Sequence, residues 1–303
     1  MMELSKLILK EYQTRRTKKQ KLAFIELLKR YIPDLKVEEG GMLHNRNIVV
    51  GDLENSKVVI GAHYDTCALL PFPNFVMPKR IILSILYSFV IIIPIFILSF
   101  LLGFGLSFVI DDPAVISMVS TIAMLVFLIF GLLIGIPSKH TANDNTSGII
   151  TLVELLLSMS EEERKKVTFV FFDNEENGLF GSSFFASKHK NVMKDKLLIN
   201  LDCVSDGDNM LLIHNKVAEK RYGQIIKDTF TPIEGKNVYI EKSSKTYYPS
   251  DQLNFKNYIA IAFMNKNRLG LYMDKIHTNK DIVFDEKNIE FLCMRLKEFI
   301  KNI

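Results

Sequence analysis

The sequence predicts an α/β fold with a mostly parallel central sheet flanked by helices, into which a hairpin of two transmembrane helices is inserted. Three observations lead to this prediction. Short apolar runs typical of buried strands alternate along the chain with patterns typical of helices. Two long apolar runs without charge lie between residues 81 and 136. Outside these runs the composition is that of an ordinary soluble α/β protein.

The first element is a helix expected over residues 3–30. Charges interrupt its apolar residues every few positions, which predicts an amphipathic surface helix and not a signal peptide. A basic cluster in this stretch could touch anionic lipid headgroups, but a solvated face is the preferred interpretation. The cluster contains Arg15, Arg16, Lys18, Lys19 and Lys21. Strands are expected next, at residues 47–50 and 58–63.

The expected membrane hairpin follows these strands. Residues 81–110 and 114–136 contain no charged side chain, and each run has at least the ~20 residues needed to span a bilayer core. Two aspartates and a proline at 111–113 predict a tight turn between the runs. The alternative is a pair of buried core helices, which would normally carry a polar face.

Basic residues flanking the two runs set the expected orientation. Lys79 and Arg80 precede the first run, Lys139 follows the second, and the connecting turn contains no Lys or Arg. The positive-inside rule therefore predicts an integral membrane protein with two spans and with its folded domain in the cytoplasm. That domain is expected over residues 1–78 and 139–303, with the hairpin over residues 79–138 between its two parts.

The rest of the chain continues the alternation of helices and strands. Helices are expected at 147–158, 180–189, 222–230 and 286–303, and strands at 167–172, 198–201 and 259–264. The net charge of +4 is small and no basic stripe is interleaved with aromatics, which argues against nucleic-acid binding. The three cysteines, Cys67, Cys203 and Cys293, form no CxxC pattern and predict neither a disulfide framework nor a zinc finger.

Five short segments place acidic residues or histidine mostly where an apolar strand is expected to end. They are GAHYDT at 61–66, ANDNTSG at 142–148, FFDNEENG at 171–178, INLD at 199–202 and KIHTNKD at 275–281. Ligand sites in open α/β sheets form at the carboxyl ends of strands, so these segments are expected to converge. Taken singly, each segment has a simpler interpretation: a polar loop for the first, a helix N-cap for the second, a solvated acidic turn for the third and surface polar residues for the last two.

Together the segments supply two histidines, three carboxylates and a further glutamate. This set suits two zinc ions roughly 3.5–4 Å apart, each with one histidine and one terminal carboxylate and both sharing a bridging carboxylate. Oxygen ligands with one imidazole per metal suit Zn, Mn or Co better than Cu. Adjacent side chains diverge, so one of Glu175 and Glu176 can bind metal while the other faces the substrate as a general base.

The order and conjunction of these segments resemble the di-zinc, co-catalytic aminopeptidase family of metallopeptidases. That family includes bacterial leucyl aminopeptidases, glutamate carboxypeptidases, glutaminyl cyclases and the non-catalytic transferrin receptor. The resemblance implies a zinc-exopeptidase-like fold in which His63 and Asp202 bind one zinc, Glu176 and His277 bind the other, and Asp144 bridges them. The hairpin departs from the soluble members of the family without removing any of these ligands.

The resemblance also implies roles around the metals. Glu175 would be the general base acting on a metal-bridging water, and Asp65 would orient the first histidine ligand. Residues 250–252 read Ser-Asp-Gln where the family often has Ser-Asp-His near the substrate pocket, which puts the substrate contacts there in doubt. Tyr247 or Tyr248 is a candidate to hydrogen-bond the substrate.

Two thiols adjoin these motifs and are interpreted as buried and structural. Cys67 lies close to His63 in the sequence, and Cys203 is expected to point to the opposite side of its strand from Asp202. Four histidines match no motif and are expected to be structural or surface residues. They are His44, His140, His189 and His214.

The function implied by the resemblance is that of a membrane-anchored zinc aminopeptidase with peptide substrates that have a free N-terminus. Its cofactor would be two Zn ions, with Mn or Co possible, and its hairpin would contact membrane lipid. Four alternatives stay open: a carboxypeptidase, a deacylase, a glutaminyl cyclase and a catalytically inactive membrane receptor or scaffold. Lys245 and Arg268 are the residues that could hold a substrate carboxylate in the first. The complete ligand set argues against the last two.

Overall fold

A nine-stranded mixed sheet organises the computed structural model, which describes residues 1–70, 74–129 and 135–303. Its strands are β1 (Lys36–Gly40), β2 (Asn45–Val50), β3 (Val58–His63), β4 (Val167–Phe172), β5 (Leu197–Leu201), β6 (Asn209–His214), β7 (Asn237–Lys242), β8 (Tyr258–Asn267) and β9 (Gly270–Tyr272). The strand order is β1-β2-β4-β3-β5-β8-β6-β7, and β9 pairs with β8.

The four central strands of this sheet are parallel. β3 pairs in parallel with β4 and β5, and β5 pairs in parallel with β8. The flanking pairs β1–β2, β2–β4 and β6–β8 are antiparallel. The expectation of a mostly parallel sheet therefore holds for the centre, and the sheet as a whole is mixed. Parallel strands run with their carboxyl ends at the same edge, so the segments that follow β3, β4 and β5 meet there.

Helices pack on both faces of the sheet. The helices of the described residues are α1 (Glu3–Glu11), α2 (Lys18–Tyr31), α3 (Ile81–Leu106), α4 (Pro113–Leu128), α5 (Gly148–Ser158), α6 (Glu161–Arg164), α7 (Phe180–Lys188), α8 (Lys190–Met193), α9 (Lys216–Thr229) and α10 (Glu286–Asn302). Of these, α3 and α4 instead pack against each other. Apolar residues of α1, α2, α5, α9 and α10 form one core with the sheet, and those of α7 and α8 form a second core on the other face. Because both faces are covered, the central strands are predominantly apolar.

The N-terminal region forms two helices and not the single helix expected over residues 3–30. The chain turns inward between α1 and α2, where the Arg15 side chain is fully buried and its Nε donates to the Tyr64 carbonyl oxygen at 2.6 Å. Lys21, on α2, is also buried. The predicted solvated basic face is therefore wrong for Arg15 and Lys21, because both side chains point into the protein.

The inserted stretch contains α3 and α4. Within the part of the chain that the structure describes, α3 is the one helix long and apolar enough to cross a membrane. The second expected span is described over the 16 residues of α4, and residues 130–134 lie outside the described residues. α3 packs against α4 where Gly103 faces Ser120, and Ser99 Oγ donates to the Ser120 carbonyl oxygen at 2.9 Å. Small residues at this crossing allow the two helices to pack closely.

The segment after the insertion is hydrogen-bonded to the segment that follows β3. The Leu69 N–H donates to the Ile136 carbonyl oxygen at 2.7 Å, and the Ser138 N–H donates to the Cys67 carbonyl oxygen at 3.3 Å. The chain thus leaves for the hairpin and returns from it beside the carboxyl end of β3.

Candidate metal centre

His63 is the last residue of β3, and it lines a cavity of about 240 Å³. Its Nε2 lies 3.3 Å from Asp144 Oδ1 and 3.6 Å from Asp202 Oδ1. Asp202 directly follows β5. Because β3 and β5 are parallel neighbours, their carboxyl ends bring these two side chains to the same edge of the sheet.

His277 reaches the same cavity from the segment between β9 and α10. Its Nε2 lies 2.9 Å from Asp144 Oδ2 and 3.4 Å from Glu176 Oε2. The backbone of His277 has φ +61°, a left-handed conformation that non-glycine residues seldom adopt. Asp144 therefore presents one carboxylate oxygen to each of the two histidines.

The loop after β4 brings two adjacent glutamates to the cavity. The Asp65 carboxylate accepts the backbone N–H of Glu175 at 3.0 Å and that of Glu176 at 3.2 Å. The candidate ligand atoms of Glu175, His63 and Asp202 all lie within 4.8 Å of one another. Glu175 thus lies near the His63 side of the cavity, while Glu176 also approaches His277.

Asp65 also contacts His63, but mainly through its backbone. The His63 Nδ1 lies 3.1 Å from the Asp65 carbonyl oxygen and 3.8 Å from the carboxylate Oδ1. The carbonyl is therefore the nearer acceptor for a proton on Nδ1. The orienting role expected of the Asp65 carboxylate stays a prediction, and its closest contacts are with the glutamate loop.

Asp281 supports the turn that carries Asp144, a role that was not predicted from the sequence. Its carboxylate accepts the N–H of Asn143 at 2.8 Å and that of Asp144 at 3.0 Å. Burial, reinforced by the nearby Asp144 charge, raises the pKa of Asp281 to about 8. The signal in the sequence is its position four residues after His277, in the same motif.

Arg15 lies behind the acidic groups, on the side of the N-terminal segment. Its Nη1 donates to Thr146 Oγ1 at 3.1 Å, beside the turn that carries Asp144. Burial lowers the pKa of Arg15 to about 9, against the opposing effect of Asp65 and Asp144. The sequence reasoning missed this residue because it lies in a charge-rich segment that has the composition of a protein surface.

Lys21 holds the loop that precedes the two glutamates. Its Nζ donates to Asp173 Oδ1 at 2.5 Å and to Asn174 Oδ1 at 2.7 Å, and the lysine and the aspartate are both buried. Asn174, directly before Glu175, also has a left-handed backbone, with φ +54°. The ion pair thus anchors the backbone immediately before Glu175.

The donor groups of the cavity fit divalent cations. Burial lowers the pKa of His277, but Glu176 and Asp144 outweigh this effect and raise the pKa to about 9. Burial also raises the pKa of Glu176 to about 8, and its Oε1 is buried without a hydrogen-bond partner among the described groups. The carboxylates therefore stabilise a cation in the cavity, which is also what metal-binding residues do. Carboxylate and imidazole donors together are typical of zinc sites.

The other residues considered from the sequence take different positions. Tyr248 lines the cavity and its hydroxyl donates to the Asp202 carbonyl oxygen at 3.3 Å, whereas Tyr247 is 53% exposed and does not line it. Gln252 is buried, where its Oε1 accepts from Asn200 and its Nε2 donates to the Tyr248 carbonyl oxygen. Its side chain therefore supports the wall of the cavity from behind.

Both cysteines near the motifs are buried next to the metal-binding candidates. The Cys203 thiol donates to Asp202 Oδ1 at 3.1 Å, so the expectation that it points away from Asp202 is wrong. Cys203 has φ +57° just beyond the end of β5, and this left-handed backbone breaks the alternation of a strand. The Cys67 sulfur lies within 4.8 Å of candidate ligand atoms of Glu176 and His277.

Comparisons with known proteins agree with this arrangement. The model of Peptidase family M28 matches residues 131–290, a stretch that includes the candidate ligands from Asp144 to His277. His63 and Asp65 precede that stretch. A vacuolar membrane protease of Candida glabrata is 28% identical over 159 residues, which are 52% of this chain and 16% of that protein. This chain therefore matches only a small part of that relative.

Solved structures share the fold. The glutaminyl cyclase of Porphyromonas gingivalis superposes with a TM-score of 0.63 at 13% identity, over 99% of this chain and 96% of the cyclase. The aminopeptidase LapA of Legionella pneumophila gives a TM-score of 0.57 at 12% identity, over 99% of this chain and 67% of LapA. At such low identities the likeness concerns the arrangement of the sheet and helices.

Proposed function

This chain belongs to peptidase family M28, and from that premise we propose that it is a membrane-anchored zinc exopeptidase that removes residues from the free N-terminus of peptides. The observation that carries the proposal is the position of Asp144, which has one oxygen facing His63 and the other facing His277. A carboxylate shared between two groups of donors is suited to a two-metal hydrolase.

The cavity residues divide into two candidate ligand sets. His63 and Asp202 would hold one zinc ion, Glu176 and His277 would hold the second, and Asp144 would be shared by both. Zinc bound there would supply Lewis-acid chemistry by polarising a carbonyl group and acidifying water. The same donors also suit Mn or Co.

Glu175 is the proposed general base. Its carboxylate lies near His63 and Asp202, and it is not needed in either ligand set. It would accept the proton of the attacking water as the new C–O bond forms. It would then donate that proton to the leaving amine nitrogen as the C–N bond breaks, which leaves the carboxylate ready for another cycle.

The described lining of the cavity contains no side chain suited to the C-terminal end of a peptide. It includes four carboxylates and neither Lys nor Arg. Two bound zinc ions would offset the charge of these carboxylates, while a substrate carboxylate away from the metals would still need a cationic partner. Lys245 and Arg268, the candidates for that partner, are exposed and lie outside the lining.

The proposal includes a membrane anchor at residues 79–138, inserted between the two parts of the peptidase domain at 1–78 and 139–303. The length and apolar character of α3 support one span, and the charge-free run that contains α4 supports a second. The basic flanks Lys79, Arg80 and Lys139 favour a cytoplasmic peptidase domain.

A peptide-pool digestion tests the activity. The full chain would be extracted from alkali-washed membranes into detergent, loaded with zinc and incubated with peptides that have free, acetylated or glutamine N-termini. We expect mass spectrometry to detect stepwise loss from free N-termini alone. Glu175→Gln should keep its zinc and lose about 10²–10⁴-fold in turnover, while Glu234→Gln at an exposed site should match the wild type.

Other outcomes would reassign the chemistry. Loss of residues from the C-terminus would indicate a carboxypeptidase, and cyclisation of N-terminal glutamine would indicate a glutaminyl cyclase. Comparable turnover by the wild type and Glu175→Gln would exclude Glu175 as the base.

A further inference from the structure

We infer, on the basis of the proposed function, that the substrates are peptides held at a membrane surface, because the cavity opens close to the level of the lipid headgroups. The inference depends on the segment 74–80, which joins the cavity to α3. Asn74 and Val76 line the cavity, and α3 begins at Ile81.

The chain length sets a limit on the height of the cavity above the bilayer. Val76 precedes Ile81 by five residues, which span at most about 18 Å when fully extended. The polar layer on each side of the hydrocarbon core is itself roughly 5–8 Å thick. If α3 enters the core at Ile81, the lining at Val76 therefore lies within about 13 Å of the headgroup layer.

Segment 74–80 is fixed to the peptidase domain by backbone hydrogen bonds. The Val76 N–H donates to the Met273 carbonyl oxygen at 2.9 Å, and the Met273 N–H donates back at 3.0 Å. The Tyr247 N–H donates to the Pro78 carbonyl oxygen at 2.9 Å, next to Tyr248 in the cavity wall. The wall of the cavity and the start of α3 are thus one connected structure.

An aromatic contact joins the same segment to α3 itself. The Phe75 ring lies between Tyr272 of β9, at 5.9 Å between centroids, and Tyr87 of α3, at 5.3 Å. In the sequence, Phe75 lies between the two residues of this segment that line the cavity. The contact of Phe75 with Tyr87 therefore fixes the orientation of α3 relative to the cavity wall.

The surface around the base of α3 has the composition of a membrane interface. We define this membrane-facing rim as Lys79, Arg80, Tyr247, Arg268 and Leu269. Arg80 Nε donates to the Leu269 carbonyl oxygen at 3.4 Å, which places the β8–β9 turn beside the start of the span. Tyr247 and Leu269 are each 53% exposed. A surface that combines basic, tyrosine and apolar side chains is suited to contact with lipid headgroups.

A peptide attached to the bilayer by its later residues would present its N-terminus directly to this cavity. Such a substrate is confined to the same surface as the enzyme, which raises its effective concentration. The effective concentration of a peptide that is free in solution is not raised by the rim or by confinement to the membrane surface.

The test compares one peptide sequence in three forms, with the full chain reconstituted in vesicles of zwitterionic and anionic phospholipid. One form is soluble. The second is joined at its C-terminus to a phospholipid by a spacer of about five residues, which reaches at most about 18 Å. The third has a Gly/Ser spacer of about 30 residues, with a mean reach of about 30 Å. We expect kcat/KM for the short-spacer peptide to exceed that for the soluble peptide by at least about tenfold.

Two variants test the rim. Arg268→Glu/Leu269→Asp should lower the ratio of short-spacer to soluble turnover at least about threefold, since it places acidic groups against anionic headgroups. Lys216→Glu/Val217→Asp makes the same change at an exposed basic–apolar pair on α9 and should leave the ratio unchanged.

Two results would overturn the inference while leaving the peptidase intact. In one, the short-spacer peptide is hydrolysed no faster than the soluble peptide. In the other, it resists hydrolysis while the soluble and long-spacer peptides are cleaved, which would place the cavity far from the bilayer. If no form is hydrolysed, the proposed peptidase activity fails and the inference falls with it.

Discussion

At the scale of single residues, the position of Asp144 depends on buried polar groups that do not face the cavity. Asp281 accepts the N–H groups of Asn143 and Asp144. The Asn143 Oδ1 accepts in turn from the N–H groups of Ser205 at 2.8 Å and Asp206 at 3.1 Å, just beyond β5. The turn that carries Asp144 is therefore held between two neighbouring segments, so its carboxylate is positioned before any ligand binds.

Replacing Asp281 should weaken metal binding without removing a ligand. In Asp281→Asn, one of the two acceptor oxygens becomes an amide nitrogen, which cannot accept the N–H that it faces. We expect zinc affinity to fall about 10–100-fold, as for other groups that support metal ligands. Competition against a chelating dye measures this, with Asp228→Asn at an exposed site of α9 as the matched control. Equal zinc affinity in Asp281→Asn and the control would show that Asp281 does not position Asp144.

The sequence predicts the cavity residues better than the groups that support them. Motifs such as GAHYDT and NLD place histidine and carboxylates at strand ends, where parallel strands converge. Lys21 contacts Asp173, 152 residues away, through a tertiary contact that no local pattern contains. Cys203 was misplaced because its left-handed backbone departs from strand alternation.

At the scale of elements, α2 contributes to the candidate site through its inward face. Its buried residues include Lys21 beside apolar side chains such as Phe24 and Leu28. The lysine reaches past the core to the loop after β4 and pairs there with Asp173. An N-terminal helix thus takes part in positioning two glutamates that follow a central strand.

Breaking this ion pair should destabilise the protein substantially. Lys21→Met leaves Asp173 buried without its cation, and we expect the free energy of unfolding to fall by about 3–5 kcal/mol. Lys18→Met, at an exposed position of the same helix, should change it by less than about 0.5 kcal/mol. Denaturant titration in mild detergent compares the two variants. Adding Asp173→Asn to Lys21→Met should recover part of the loss, and no recovery would exclude an uncompensated charge as the cause.

Elements with a strong apolar pattern are predictable from the sequence, and those without one are not. The central strands β3, β4 and β5 lie within a residue of the expected positions because both faces are buried. The edge strands β1 and β7 were missed, since sequences such as KVEEG and NVYIEK mix polar and apolar residues on half-exposed backbone. β6 is apolar, but a short apolar run does not by itself distinguish strand from helix.

At the scale of the whole molecule, metal binding should contribute to the stability of the fold. The candidate ligands come from the end of β3, from the segments after β4, β5 and β9 and from the turn before α5, so a bound ion would link distant parts of the chain. Ligand present at about 1,000 times its dissociation constant adds about 4 kcal/mol to the free energy of unfolding.

Chelation should therefore lower the melting temperature of the detergent-solubilised protein by several degrees, and zinc should restore it. Glu176→Gln, which removes one candidate ligand, should show a smaller shift. Differential scanning fluorimetry with and without chelator measures both. An identical melting temperature in all conditions would contradict a stabilising metal centre.

The placement of the insertion between β3 and β4 has a consequence for how the chain is made. Val58 of β3 pairs with Val167 of β4, which the ribosome adds about 100 residues later. At roughly 5–20 residues per second, β3 waits roughly 5–20 s for this partner, while both hairpin helices are synthesised. If residues 79–138 form the proposed membrane anchor, the hairpin is therefore available for membrane insertion before the central sheet closes. A chain whose hairpin stalls outside the bilayer would keep an unpaired apolar strand, and such chains are expected to aggregate during biogenesis.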